Sequence, residues 1–169
     1  ETSAEENWSE LSTISTNDVL SLDNIKLWLF NVSSAIHVVS CKWTNKSVYE
    51  YTLVENCYLE KIEGKTAGEV FFVIFMELHP ANSFLSEKDS SQVDSKLMKK
   101  DKMYEKSRRR GNVKPCRVWQ VSPGTFDAVF DIILASNPEA TPMQIKPQKV
   151  IRRPDILKHL LSRRINQKL

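Results

Sequence analysis

Residues 69–80 read EVFFVIFMELHP, and Val70 through Met76 is apolar without interruption. Successive side chains of a strand point to opposite faces, so such a run is apolar on both. It is far shorter than the ~18–20 apolar residues a membrane-spanning helix needs. Two placements follow. Either the strand is covered on both sides inside its own domain, or one face awaits a partner. Any fold for this chain has to solve that segment first.

The stretches before it also read as strands. IKLWLFNV (25–32) is dense and apolar, and AIHVVSCKW (35–43) alternates after a Ser33-Ser34 turn. Thr44–Ser47 is a turn by composition. VYEYTLVENCYLEKI then sets Tyr49, Tyr51 and Leu53 on one face and Glu50 and Thr52 on the other. A break near Glu55-Asn56 predicts a fourth strand through Ile62, and Gly64 and Gly68 bracket the next turn. Four consecutive strands with short turns form an antiparallel meander.

The remainder is organised differently. Residues 1–24 are an acidic, flexible segment in which Asn17-Asp18 caps a short helix into Leu22. Residues 81–112 hold few large apolar side chains and are expected to form a disordered basic insert. VKPCRVWQV (113–121) resumes as a strand, which Pro115 confines to an edge or a strand start. In SPGTFDAVFDIILASNP, Phe126, Val129, Phe130 and Ile133 fall at i, i+3, i+4 and i+7, one stripe of an amphipathic helix. Thr125 caps it and Asn137-Pro138 ends it. A proline-containing linker over 138–152 leads to a second helix opening at Pro154-Asp155, where proline suits the first helical position.

This order implies an α+β fold. CRVWQVSPGTFDAVFDIIL resembles the last strand and closing helix of pleckstrin-homology-like domains. The resemblance spans residues 25–137 and implies a bent antiparallel sheet, or partly open barrel, plugged by the helix. A β-sandwich with appended helices is the alternative. The resemblance also implies a phosphoinositide site in the first hairpin loop, but Asn31–Ala35 has no Lys or Arg.

Charge supplies the functional readings. Residues 1–95 carry 6 basic and 15 acidic side chains (net −9), and residues 96–169 carry 18 and 6 (net +12). Such a split implies an acidic partner or attraction between the halves. KKDKMYEKSRRRGNVKPCR (99–117) concentrates Lys99, Lys100, Lys102, Arg108, Arg109, Arg110, Lys114 and Arg117. It reads as a solvated loop, a nuclear address or a nucleic-acid contact, with Tyr104 its only aromatic for base stacking. The last helix pairs an apolar side (Ile156, Leu157, Leu160, Leu161, Ile165) with a basic coat including Arg152, Arg153, Arg163 and Arg164. It either folds back on this domain or docks a helix or peptide of another protein; anionic lipid is a further alternative.

Catalytic signals are weak. Only four glycines are available for phosphate loops, and no nucleophile elbow or metal-binding helix occurs. His37 and Cys41 lie four residues apart on a predicted strand, ~13 Å at strand rise, too far for proton transfer. Cys41, Cys57 and Cys116 form no CxxC and read as reduced thiols. The expectation is therefore a non-enzymatic interaction module of an intracellular, nuclear protein, with no metal or cofactor.

Overall fold

A computed structural model describes residues 47–66, 68–80, 82–145 and 150–165. The strands expected at 25–32 and 35–43, and the helix into Leu22, lie outside them.

The two-sided segment is strand β2 (Phe72–His79), the centre of a three-stranded sheet. Strand β1 (Ser47–Glu55) pairs with it antiparallel, and β3 (Arg117–Gln120) pairs with it parallel. The consecutive antiparallel meander is thus corrected among the described residues. Residues 56–62, expected to be a strand, form helix α1 (Asn56–Ile62). Asn56 fixes this switch: its side chain accepts from the Phe71 N–H at 3.0 Å and donates to the Glu69 carbonyl at 2.6 Å. These bonds tie the helix start to the approach of β2.

Helices then cover both faces. Phe72, Ile74, Met76 and Leu78 face α2 (Glu87–Lys100) and α3 (Lys102–Arg109), sharing a core with Val93, Leu97 and Tyr104. Phe71, Val73 and Phe75 face α1, α4 (Thr125–Ala135) and α5 (Pro154–Ser162), sharing a core with Leu59, Phe126, Val129 and Leu160. Each fully buried large side chain contributes ~1.5–3 kcal/mol by leaving water. β2 is covered within its own domain.

The expected disordered insert is therefore helical over 87–100 and 102–109, and it builds one of the two layers. Its start is capped: Ser86 Oγ accepts from the Asp89 N–H at 3.2 Å, and Asp89 Oδ2 accepts from the Ser86 N–H at 2.8 Å. Asp101 caps α3 by accepting from the Tyr104 N–H at 2.8 Å. Many charges and few large apolar residues do not prevent a helix that buries only Val93, Leu97 and Tyr104.

A bulge corrects another detail. Register shifts between Val48 and Glu50, so Val48 packs with Tyr51 and Leu53 while Tyr49 is thrown outward, 52% exposed. One extra residue inverts the face of everything before it. Tyr49 instead donates its hydroxyl to Asp127 of α4 at 2.7 Å.

Helix α4 forms where its periodicity placed it, but Gly124 rather than Thr125 is its N-cap, without a side-chain cap bond, and Phe130 is only half-buried. Phe126 and Val129 are buried against Val73 and Phe75, and Ile133 packs on the same core. Glu77 occupies the place on β2 where the apolar alternation toward α4 would continue. Its carboxylate accepts from the Gly124 and Phe126 N–H groups at 2.6 and 3.0 Å, satisfying donors that α4 cannot use internally. Gly124 turns the chain there with φ of 84°, which disfavours a side chain although no atom crowds a Cβ.

The C-terminal helix folds back on its own domain. Ile156, Leu157 and Leu160 are buried, and Leu161 packs against the same core. Before α5, the Ile151 N–H donates to the Leu53 carbonyl on the β1 edge. After it, Ile165 donates to Gln120 and Ser122 donates to Arg163 on the β3 edge. A nine-residue helix is ~13 Å long, about the width of three strands, so α5 reaches from one edge to the other.

Leu160→Asp should accordingly lower unfolding free energy by ~4 kcal/mol, because it buries a carboxylate without a partner. The exposed Lys158→Asp should stay within ~0.5 kcal/mol. Urea denaturation followed by circular dichroism compares them; equal midpoints would contradict the packed position of α5.

Candidate functional site

The edge of β3 borders a cleft of about 740 Å³ whose walls include Glu87, Lys88, Ser91, Asp94, Arg117 and Trp119. Among the described strands β3 pairs with β2 alone, while α2 passes beside it. Pro115, just before the strand, supplies no N–H to extend the ladder.

A charged network forms the floor. Asp94 accepts from the Tyr104 hydroxyl at 2.6 Å and from the Cys116 N–H at 3.0 Å. Arg108 clamps the same carboxylate through Nη2 at 2.9 Å and Nε at 3.2 Å. Burial disfavours the charge on Asp94, but hydrogen bonds from Arg108, Tyr104 and the Cys116 N–H outweigh it and hold the carboxyl below its ordinary value. The network ties α2, α3 and the start of β3 into one unit.

Its members are not poised for proton transfer or nucleophilic attack at neutral pH. Burial first, then the Asp94 charge, pushes the Cys116 thiol up to about 12. Burial also raises Tyr104. Cys57, half-buried on α1, is likewise pushed up to about 12 by burial and then by Glu55. Thiols in such surroundings are inert. Among the described residues no group of three or more His, Cys, Asp or Glu could hold a metal ion.

The basic stretch is dispersed by folding. Lys99 and Lys100 occupy the last turn of α2, where cations suit the negative helix end. Lys102 and Arg109 both pair with Glu105, at 3.2 and 3.0 Å. Arg108 turns inward to Asp94, and Arg110 ends α3. Lys114 donates its backbone N–H to Val70. Arg117 lies over the Phe71 ring, 4.1 Å from its centroid.

Just before the last helix, Arg152 pairs with buried Glu55 at 3.1 Å, and Arg153 pairs with Asp155 at 2.7 Å. Burial raises the Glu55 carboxyl against the opposing pull of Arg152. Arg163 is exposed, Arg164 stacks 3.8 Å over Trp119, and Ile165 is half-buried. Asp94, Tyr104 and Glu77 carry much of the polar architecture, yet none stands out by composition. The available sequence signal was the pair of capping residues Ser86 and Asp101, which the reading of 81–112 as a disordered insert passed over.

Comparison with known proteins places this geometry. A sequence model of the GH3 family C-terminal domain matches residues 30–155. A mouse GH3 domain-containing protein is 28% identical over 94 residues, covering 56% of this chain and 17% of the relative. GH3.15 acyl acid amido synthetase superposes with a TM-score of 0.61 at 18% identity, over 82% of this chain and 23% of that one. Its complex with 2,4-DB gives 0.60 at 18% identity, over 90% and 25%. The chain therefore spans about a quarter or less of each relative's length.

These matches overturn the pleckstrin-homology-like expectation, and the parallel pairing of β2 with β3 shows why the pattern misled. A final strand followed by an amphipathic helix is common to many α+β folds and does not specify the sheet. The reading as a non-enzymatic adaptor module is corrected with it, because the model that matches is that of the GH3 family C-terminal domain, and two of the matched structures carry the description acyl acid amido synthetase.

Asp94→Asn should cost ~2–3 kcal/mol at neutral pH by weakening the Arg108 clamp and the Tyr104 bond. A carboxylate with a depressed value stabilises above the unfolded value of ~4 and loses that contribution as pH falls through the depressed one. The difference from wild type should thus shrink below pH ~4 in urea titrations. A constant difference down to pH ~2 would show that charge is not what the site uses.

Proposed function

The chain belongs to the GH3 family through its C-terminal domain, and on that premise we propose that it serves as the C-terminal part of an amide-forming synthetase. The match across residues 30–155 carries the reading. Joining a carboxylic acid to an amine in water requires an activated acyl group and exclusion of water from it. A second body closing over the reacting atoms performs that exclusion, and closure of this kind is a common step in enzyme cycles.

The domain's physical properties suit such a body. Its sheet is locked between helical layers, α5 joins both sheet edges, and the Asp94 network fixes the insert to β3. A unit held this way moves as a block. Among the described residues, the cysteine and tyrosine groups of the cleft are raised away from neutral titration. In this reading the domain supplies surface and positioning, while the activating chemistry belongs to the larger part of the enzyme. The acyl acid and the amine are selected there.

The test uses the whole protein, a panel of acyl acids and amines, and a nucleoside triphosphate as the energy source. Amide product, detected by mass spectrometry, should form with the domain present and fall by at least ~100-fold when residues 47–165 are removed. Product formation that persists after removal would count against the assigned role.

A further inference from the structure

The bulge that turns Tyr49 outward also borders a further cavity. Between α4 and β1 lies a pocket of about 260 Å³. Phe126, Val129, Phe130 and Ile133 of α4 supply most of its apolar lining, completed by Ile145 and Ile151. Phe130, Ile133 and Ile145 stay half-buried there, with apolar surface left toward the hollow. Pockets for drug-sized molecules measure ~300–1,000 Å³, so an occupant of this one is small.

Charge enters the lining with one sign. Glu50 and Asp127 contribute carboxylates, and among the described residues no Lys, Arg or His lines the pocket. Tyr49 links the two walls, its hydroxyl donating to Asp127 Oδ1 at 2.7 Å. Asp127 Oδ2 receives no hydrogen bond from the described residues. The bond and the charge of Asp127, then burial, Glu77 and Glu50, raise the phenol above its ordinary value, so the proton stays on Tyr49. Regular alternation would have set Tyr49 beside Tyr51 and Leu53; the bulge aims it at α4 instead. Bulges recur next to active sites, where they re-aim a side chain.

An apolar hollow edged by carboxylates and an aromatic ring, without a cation, complements an amphiphilic cation. We propose that the pocket between α4 and β1 binds a small organic ammonium ion. Its hydrocarbon or aromatic body lies against Phe130 and Ile133, and its charged head sits between Asp127 and the Tyr49 ring. Charge-assisted hydrogen bonding to Oδ2 and attraction to the ring face hold that head. The inference goes beyond the amide-forming reading and stands on this domain's own side chains.

The probe is 2-phenylethylamine, titrated into the 169-residue chain while methyl resonances are recorded. A ligand of this size should bind with a Kd of ~1 mM or tighter. The methyl signals of Ile133, Ile145 and Ile151 should move together and saturate, which locates the site. 2-Phenylethanol, with the same body and no charge, should bind about tenfold more weakly, and 3-phenylpropionate more weakly still. Asp127→Asn should weaken the amine by about three- to fivefold and leave the alcohol unchanged. Tyr49→Leu should weaken the amine by a similar factor, about three- to fivefold. Both side chains are exposed, so unfolding midpoints should match wild type; where one shifts, the other variant carries the comparison. Equal affinity for amine and alcohol overturns the proposal, as does an amine affinity that the compared variants leave unchanged. Saturating shifts that miss all three isoleucines, or no binding well above that Kd, overturn it as well.

Discussion

Burial of β2 on both faces is the constraint that the rest of the structure answers. A strand with Phe72, Ile74, Met76 and Leu78 on one side and Phe71, Val73 and Phe75 on the other cannot belong to a sheet with a wet face. Two helical layers are needed. The chain builds one from the segment between β2 and β3, and the other from α1, α4 and the returning α5. A parallel partner for β2 follows naturally, because a crossover long enough to hold two helices brings the chain back in the same direction.

Polar residues then decide how those layers are held. Glu77 interrupts the apolar alternation to receive the start of α4. Asp94 gathers Tyr104, Arg108 and the backbone before β3. Gln120 accepts from the Leu85 N–H at 2.9 Å and donates to the Ser83 carbonyl at 2.7 Å, fastening the loop that leads into α2. Glu77, Asp94 and Gln120 each find partners on a different element, so the contacts that satisfy them also fix the layers against one another. The proposed role in closure depends on this rigidity.

The basic stretch illustrates how folding can part charges that are neighbours in sequence. Its positive charge is present, yet a helix separates the charges by face. Arg108 points to Asp94, while Lys102 and Arg109 share Glu105. A cluster in sequence is thus not a cluster in space. Arg117 and Arg164 lie instead on the faces of Phe71 and Trp119, and nothing in either neighbourhood forecasts it.

Periodicity and termini were legible without coordinates: the two-sided strand, the edge strand limited by Pro115, and the helices starting near Thr125 and Pro154. These are local properties, set by side-chain alternation, capping and proline geometry. Face, partner and direction were not legible. One bulge at Val48–Glu50 inverted Tyr49, one pair of Asn56 bonds accompanied a helix where alternation continued, and sparse apolar residues sufficed for α2 and α3 because β2 supplied the other half of their core. Those outcomes belong to tertiary structure, since the free energy of burying a side chain depends on what lies opposite it, and that surface comes from elsewhere in the chain.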